Sequence, residues 1–334
     1  MRSTSARARW VAATVAAGVA ALLLAGCTTE TVTPDNSSTV VYAAIGADQP
    51  NPGDTVAVVQ SATGKPGTPV TVGTLPSALT LVPGAKDLLV TVKAQDELVE
   101  IDTASGKVVH RVGVGLEPDA IAVTSDGSTA LVANFGDNTV TEVHLSGFTA
   151  GRTVPVGHQP VAIAVTPDGH QALVVNFQDG TLTPLALPSL AAGAPVPVGT
   201  GPVAVSVPSA TEALVADFQT SSLTPVSLPS LVSQVSIPLG ANPTDIDSAP
   251  AATVTWVSAG FGITPVSLVG SLVGKAVPLG VSAQCIAVTQ HQKAWVCSGN
   301  GALIEVDLTT GKVVRKVGLA GIPAAAVVAD ARGT

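Results

Sequence analysis

The chain has 334 residues and a formal net charge of −8, with 46% hydrophobic and 11% charged residues. This composition suits a sheet-rich body with many buried faces, and the acidic balance disfavours binding to the phosphate backbone of a nucleic acid. The residue usage is typical of a GC-rich bacterium, which we expect to be Gram-positive.

The N-terminus has the order of features found in an export signal. Three arginines are followed by the apolar run Trp10–Leu24, which is too short for a comfortable membrane span. The run ends in Leu24-Ala25-Gly26-Cys27. These residues resemble the lipobox of bacterial lipoproteins, in which the cysteine is lipidated and the chain is cut just before it. The resemblance implies a signal peptide over residues 1–26 and a lipid on Cys27, while an ordinary secretory signal is the alternative.

A short polar segment follows the cysteine. Residues 28–38 read TTETVTPDNSS, which is typical of a flexible tether. Fully extended, such a segment reaches roughly 35 Å. We therefore expect residues 27–38 to hold the body of the protein close to the outer face of the cell membrane.

A G-x-x-P tetrapeptide recurs along the remainder of the chain. Its copies begin at Gly73, Gly115, Gly157, Gly199 and Gly240, with degenerate copies at Gly280 and Ala320. The steps are 42, 42, 42, 41, 40 and 40 residues. A period of this length, with four strand-sized segments in each unit, predicts an all-β, seven-bladed β-propeller over residues 39–329, followed by a tail at 330–334.

The third repeat shows the predicted strands most clearly. A Thr-Pro-Asp-Gly turn at residues 166–169 separates the first two strands. The four predicted strands are Val161–Val165, Ala172–Val175, Thr181–Leu187 and Ala194–Val198. Prolines at positions 184, 225 and 265 fall within the third strands of blades three to five. Each must turn its missing donor away from a partner or mark a bulge.

Two stretches carry a family resemblance. They are PDAIAVTSDGSTALVAN at Pro118–Asn134 and PVAIAVTPDGHQALVVN at Pro160–Asn176. These blades resemble YVTN-type β-propeller repeats, whose pattern is P-x-x-V-A-V-x-P-D-G followed by a V-Y-V-x-N strand. The resemblance extends over residues 73–329 and implies the propeller fold without implying an activity.

The strand count predicts how the ring closes. One C-terminal strand, Ala324–Ala329, must combine with three N-terminal strands at Thr39–Ile45, Thr55–Gln60 and Pro69–Val72. Closing the ring from both ends pairs strands that would otherwise be exposed edges. The tether and the C-terminus then leave from the face that carries the P-D-G turns, which we call the proximal face. The G-x-x-P loops and the Asn-Phe turns form the opposite, distal face.

The distal face is the predicted ligand-binding surface. Its candidate residues are Asn134, Phe135, His158, Asn176, Phe177, Asp217, Phe218 and Phe261. The phenylalanines form either an apolar rim around the channel mouth or fillers between neighbouring blades. The oxygen-bearing residues are types that bind calcium, but no single turn supplies enough carboxylates, and such residues also cap ordinary turns. We therefore expect no metal and no cofactor.

Two aspartates interrupt a column of small residues. Asp245 and Asp247 occupy positions where other blades have alanine or serine, and both should point the same way from one strand. They form either an acidic channel patch with Asp119 or a structural hydrogen-bonded pair. A hydrolase or lyase of the lactonase type would use these three aspartates with His158 at the channel mouth. The chain has no nucleophile elbow, no H-E-x-x-H and no phosphate-binding loop.

Cys285 and Cys297 lie symmetrically about His291 in blade six. A hairpin that turns at the histidine places them opposite one another, and an exported compartment permits their oxidation. A disulfide is therefore predicted, with two buried free thiols as the alternative.

The sequence favours a monomeric, membrane-anchored propeller of the cell envelope that binds or scaffolds a protein or glycan partner. A hydrolase or lyase and a purely structural envelope protein are the alternatives. Neither a nucleic acid nor a cofactor is expected as a ligand.

Overall fold

The computed structural model describes residues 40–48, 51–84, 86–248, 253–289 and 291–329. These ranges form seven antiparallel sheets and one short two-stranded hairpin. The first strand of every blade contacts the first strands of both neighbouring blades, which makes a closed ring of strands around a central channel. The predicted all-β, seven-bladed propeller is thereby confirmed. The predicted signal peptide, Cys27, the tether and the tail lie outside the described residues.

Blades one, two and six have four continuous strands each. Blade one contains Pro76–Leu81, Asp87–Val92, Glu97–Asp102 and Lys107–Gly113, with a 3-10 helix at Lys93–Gln95. Blade two contains Pro118–Val123, Thr129–Asn134, Thr139–His144 and Thr149–Pro155. Blade six contains Ala283–Val288, Lys293–Ser298, Ala302–Asp307 and Lys312–Gly318.

Blades three, four and five have an outer strand that is split into two short pieces. Blade three contains Pro160–Val165, Gln171–Asn176, Thr181–Ala186, Ala191–Ala192 and Val196–Pro197. Blade four contains Pro202–Ser209, Glu212–Asp217, Ser222–Ser227, Val232–Ser233 and Ile237–Pro238. Blade five contains Pro243–Asp247, Val254–Ala259, Gly262–Ser267, Leu272–Val273 and Val277–Pro278.

Blade seven closes the ring as the strand count predicts. It contains Pro323–Ala329, Val40–Ile45, Thr55–Gln60, Lys65–Pro66 and Val70–Thr71, and the hairpin Ala47–Asp48 with Asn51–Pro52 extends from it. Val40 pairs with Ala329, so both ends of the described propeller lie together at its proximal face. The N-terminal strand is held between the C-terminal strand and its own successor.

One column of the third strand separates the two kinds of blade. It holds Glu100, Glu142 and Glu305 in blades one, two and six and Pro184, Pro225 and Pro265 in blades three, four and five. Each proline carbonyl accepts an N–H from the outer strand at 2.8 Å, so the proline nitrogen faces the outer strand too. That nitrogen has no hydrogen to donate, so the ladder of blades three to five lacks a hydrogen bond where the outer strand is interrupted. The predicted strand Ala194–Val198 therefore contains only the second piece, Val196–Pro197, and the first piece, Ala191–Ala192, lies outside the predicted range. Blade seven is split in the same way although Val58 occupies this position, and its carbonyl accepts the Gly67 N–H at 2.7 Å.

The glutamates of this column are buried and pair with bases. Arg152 Nε lies 3.1 Å from the Glu142 carboxylate, and Arg315 Nε lies 2.6 Å from that of Glu305. Arg152 also donates to the carbonyls of Pro188 and Ser189 in blade three, at 2.7 and 2.6 Å. The ion pair thus ties one blade to the next.

The hydrophobic core is divided among the blade junctions. Each of the seven junctions holds its own cluster of buried aliphatic side chains, contributed by the facing sheets of two neighbouring blades. The loops and turns at the two ends of the strands are left at the surface, where a site can form.

Candidate functional site

A buried polar side chain ends the second strand of blades two, three and four. Asn134, Asn176 and Asp217 have no exposed surface. Asn134 accepts the Gly115 N–H at 3.2 Å and donates to Thr139 and Thr141 at 3.0 and 2.9 Å. Asn176 donates to its own two threonines in the same way. The sequence predicts these three residues on the ligand face, but all three are buried. Asn134 joins the loop to the third strand. Asn176 binds the third strand alone, and its Oδ1 has no hydrogen-bond partner among the described residues.

Asp217 makes the equivalent contacts with a carboxylate. It accepts the Gly199 N–H at 3.1 Å and the Thr224 hydroxyl at 2.6 Å. Burial raises the pKa of Asp217 to about 6, and the two hydrogen bonds act against that rise. A carboxylate placed where its neighbours have a neutral amide is a source of pH sensitivity in blade four.

This column explains the glycine of the G-x-x-P motif that precedes blades two, three and four. A Cβ added at Gly115 or Gly157 would lie 2.5 Å from the side chain of Asn134 or Asn176, and one at Gly199 would meet Asp217. Any larger residue would therefore displace the amide or carboxylate that holds the loop. The motif follows from packing at this point.

His158 belongs to a second loop contact. Its backbone N–H donates to Asp179 Oδ2 at 2.7 Å, and its ring Nδ1 lies 2.9 Å from Asp179 Oδ1. The backbone hydrogen bond lowers the pKa of Asp179. Asp137 accepts the Leu116 N–H in blade two in the same manner, at 3.1 Å. The histidine thus takes part in a recurring turn-to-loop contact.

Asp245 and Asp247 lie on the innermost strand of blade five and reach across to blade six. Asp245 accepts the N–H groups of Ile246 and Ile286 at 2.8 and 2.9 Å. Asp247 accepts those of Ser248 and Val288 at 2.8 and 2.7 Å. Each carboxylate joins the free edges of two inner strands.

Desolvation sets the protonation of this pair. It raises the pKa of Asp245 to about 7 and that of Asp247 to about 6, and the charge of Asp247 adds to the rise at Asp245. The backbone N–H groups act in the opposite direction by stabilising the charged forms. Both carboxylates accept hydrogen bonds from backbone N–H groups in the same pattern, which favours the structural pair over the acidic channel patch.

Asp119 has a different partner again. Lys93 Nζ lies 2.7 Å from its carboxylate and 5.6 Å from the centre of the Phe135 ring. Burial raises the pKa of Asp119, and the lysine opposes that rise. The four residues of the enzyme alternative thus contact three separate sets of groups: Lys93, Asp179, and the backbone of blades five and six.

The phenylalanine column divides into two pairs. Phe135 and Phe177 are half-buried, whereas Phe218 and Phe261 are 38% and 72% exposed. Asn242, in the loop between the exposed pair, donates its side-chain N–H to the Phe218 carbonyl at 2.7 Å, and its own carbonyl accepts the Gly260 N–H. The exposed rings therefore flank one anchored loop on the distal face.

Cys285 and Cys297 form a disulfide in blade six. The two residues are directly opposite in the register of its first and second strands, with Cα atoms 4.9 Å apart. Both are buried at the junction with blade seven. The cross-link reinforces the blade that receives the Asp245 and Asp247 contacts.

A pocket of about 420 Å³ lies between the ends of blades six and seven. Its walls are mainly apolar, with Ile45, Val58, Pro66 and Leu319 among them, and Asp54 is its one charged lining residue. None of the sequence-predicted site residues lines this pocket. The outer strand of blade seven and residues 318–321 form parts of its wall. No local sequence pattern predicts a pocket at this position.

The described ranges contain no group of three histidine, cysteine, aspartate or glutamate side chains that could hold a metal ion. Within the same ranges, no helix has the length and apolarity needed to cross a bilayer.

No protein-family model matches the chain, and no curated protein matches it. Many solved structures are similar to it, and three of them are named here. They are a functionally unknown protein from Desulfotomaculum acetoxidans DSM 771 (16% identity, TM-score 0.76, 88% of this chain and 99% of that chain), hydrazine synthase from Kuenenia stuttgartiensis (17%, 0.70, 77% and 90%) and dihydro-heme d1 dehydrogenase NirN (14%, 0.63, 86% and 74%). At such identities the likeness shows the shared β-propeller fold alone.

Proposed function

We propose that this chain is a lipid-anchored, cell-envelope β-propeller that acts as a binding or scaffolding module through its distal face. The observation that carries the proposal is the exposed pair Phe218 and Phe261 beside the anchored loop of Asn242. Exposed aromatic rings on a rigid support are typical of surfaces that meet a partner. The fold is consistent with such a module.

The placement of the chain ends supports the orientation. Val40 begins its strand at the proximal face, opposite Ala329. A tether that starts from a lipid on Cys27 therefore joins the propeller at the face opposite to the exposed rings. The distal face would point away from the membrane and towards other envelope components.

The contacts of the acidic residues favour binding over catalysis. Asp245 and Asp247 are saturated by backbone N–H groups, and Asp119 is paired with Lys93. A general acid or base needs to reach a substrate proton, and these carboxylates are engaged with the protein itself. No arrangement of described side chains favours the hydrolase or lyase alternative.

The lipid anchor is tested by substituting Cys27, the residue proposed to carry the lipid. In a bacterial host that processes lipoproteins, the full chain should incorporate a fatty-acid label and sediment with membranes, and Cys27→Ser should do neither. Unlabelled wild-type protein in the soluble fraction would contradict the anchor.

The binding face is tested by site-specific photo-crosslinking of the full chain in intact cells. A crosslinker at Phe261 should give a discrete adduct. A crosslinker at Val314, an exposed residue of the blade-six outer strand, should give none. Equal yields at both positions, or no adduct at either, would contradict a specific distal face.

A further inference from the structure

The distal face is divided by charge. The loops and turns of blades one to three present charged side chains, namely Lys93, Asp96, Glu117, Asp137 and Asp179. The corresponding loops of blades four to six, at residues 199–201, 218–221, 239–242, 260–261, 279–282 and 299–301, contain no lysine, arginine, aspartate or glutamate. Asp217 is buried beneath them, and Lys316 on the outer flank donates to the Leu279 carbonyl.

The uncharged half presents amides and hydroxyls around the two exposed rings. Gln219, Thr220, Asn242 and Asn300 are exposed there. Carboxamides and hydroxyls both donate and accept hydrogen bonds, which matches a ligand whose own groups do both. A charged partner would find no complementary charge on this half of the face.

The backbone that carries the two rings is held in place. The Phe218 N–H donates to the Gly201 carbonyl at 3.0 Å, and the Phe261 carbonyl accepts the Leu279 N–H at 2.9 Å. The intervening loop contributes small residues, Gly240 and Ala241, and both rings are exposed beside it. A backbone held in this way loses little conformational entropy when a ligand binds.

We infer that the ligand of this surface is a neutral carbohydrate. The apolar C–H face of a sugar ring stacks on a phenyl ring, and its hydroxyls pair with carboxamides and hydroxyls beside that ring. A protein partner would normally meet a surface with charged groups that set orientation and exclude competitors, and the uncharged half has none. The inference rests on the proposed function, because it names the partner class for that same face.

Affinity electrophoresis tests the inference with the purified, detergent-solubilised full chain. The gels contain neutral glucan, mannan or galactan, and a further gel contains an anionic polysaccharide. We expect at least one neutral polysaccharide to retard the protein, with little effect of added salt because no charges take part. The double variant F218A/F261A should weaken that retardation about tenfold or more.

A matched control comes from the outer strand of blade six. The double variant V313A/V314A removes two exposed apolar side chains away from the distal face and should leave retardation unchanged. Loss in both variants, or retardation by none of the neutral polysaccharides, overturns the carbohydrate assignment. Retardation only by the anionic polysaccharide does so too.

The crosslinking experiment keeps the two proposals separate. A Phe261 adduct that is digested by glycosidases supports both the binding face and the carbohydrate. A protein adduct leaves the binding face standing and overturns the carbohydrate. The absence of any adduct contradicts the proposed function itself.

Discussion

Blades two to four and blades five and six hold their distal loops by different means. In blades two and four, the buried Asn134 and Asp217 bind the loop to the third strand of the same blade. In blade three, the buried Asn176 binds the third strand alone. In the second group, Ala259 and Ser298 occupy that place in the strand register. Asp245 and Asp247 instead join blade five to blade six, and the Cys285–Cys297 disulfide closes blade six on itself.

The first position of the G-x-x-P motif is glycine for different physical reasons in different copies. Gly157 is required because a side chain would collide with Asn176. Gly280 has no neighbour within reach of a Cβ, but its φ of +75° is in the left-handed region that favours glycine. The same residue type at equivalent positions can thus be required by side-chain packing in one blade and by backbone conformation in another.

The disulfide should have the largest effect of the features that set blades five and six apart. The double variant C285A/C297A should lower the free energy of unfolding by about 3 kcal/mol, because the cross-link restricts the unfolded chain. Thermal denaturation of wild-type and variant, with and without reductant, measures this. Wild-type protein that keeps its full Tm after complete reduction would contradict the role given to the cross-link.

Asp217→Asn gives blade four the asparagine that blades two and three have at the same position, so it tests what the carboxylate contributes to stability. The folded-state pKa of Asp217 is raised from 3.8 to about 6. Its favourable contribution is therefore complete below pH 3.8 and is lost as the pH rises through about 6. At neutral pH the amide should be more stable than the carboxylate by about 2 to 3 kcal/mol.

Unfolding midpoints measured from pH 4 to pH 7 test this expectation. The difference between Asp217→Asn and wild-type should grow with pH across that window. Asp179→Asn is the matched control, because the pKa of Asp179 is lowered from 3.8 and its contribution is lost only below that pH, so its difference from wild-type should stay nearly constant across the window. Parallel pH profiles for wild-type and Asp217→Asn would contradict the burial argument.

Substitution of Gly157 and Gly280 tests whether side-chain packing or backbone conformation requires glycine at each position. Gly157→Ala should cost about 2 kcal/mol through overpacking, and Gly280→Ala about 1 kcal/mol through backbone strain. Asparagine tolerates the left-handed region, so Gly280→Asn should recover part of the loss, whereas Gly157→Asn should be worse than Gly157→Ala. Chemical denaturation decides the order, and recovery by asparagine at position 157 would refute the packing explanation.

The most exposed ring should have the smallest effect on stability. Phe261→Ala should change the free energy of unfolding by less than about 0.5 kcal/mol, because that side chain is 72% exposed, and the more buried Phe218→Ala and Phe177→Ala should cost more. Differential scanning calorimetry checks both. A large loss of Tm in Phe261→Ala would mean that this ring supports the fold, and its use as a binding probe would end.

The fold could be predicted from the sequence because the repeat period and the strand count are global signals. The role of Asn134 and Asn176 could not, since an asparagine next to a turn has the same pattern whether its amide faces water or two buried threonines. The shared position of Glu100, Glu142 and Glu305 could not be predicted for a related reason. Only the pairing register shows that a glutamate of one blade lies in the same column as a proline of another.

The split of the phenylalanine column also lay beyond the sequence. All four rings follow or nearly follow the second strand, yet their exposure depends on the loop of the neighbouring blade. Asn242 and the small residues beside it leave Phe218 and Phe261 uncovered, while Lys93 lies over Phe135. Such differences arise from contacts between repeats, which a single repeat does not encode.

The closing blade has a mechanical consequence. The strand Val40–Ile45 is paired along its length with strands on both sides. A pull on its N-terminal end along the strand axis loads both ladders in shear, so many hydrogen bonds must break together before the strand slides. With the lipid anchor proposed above, drag on the body would be transmitted through this strand, and its two ladders would resist that force.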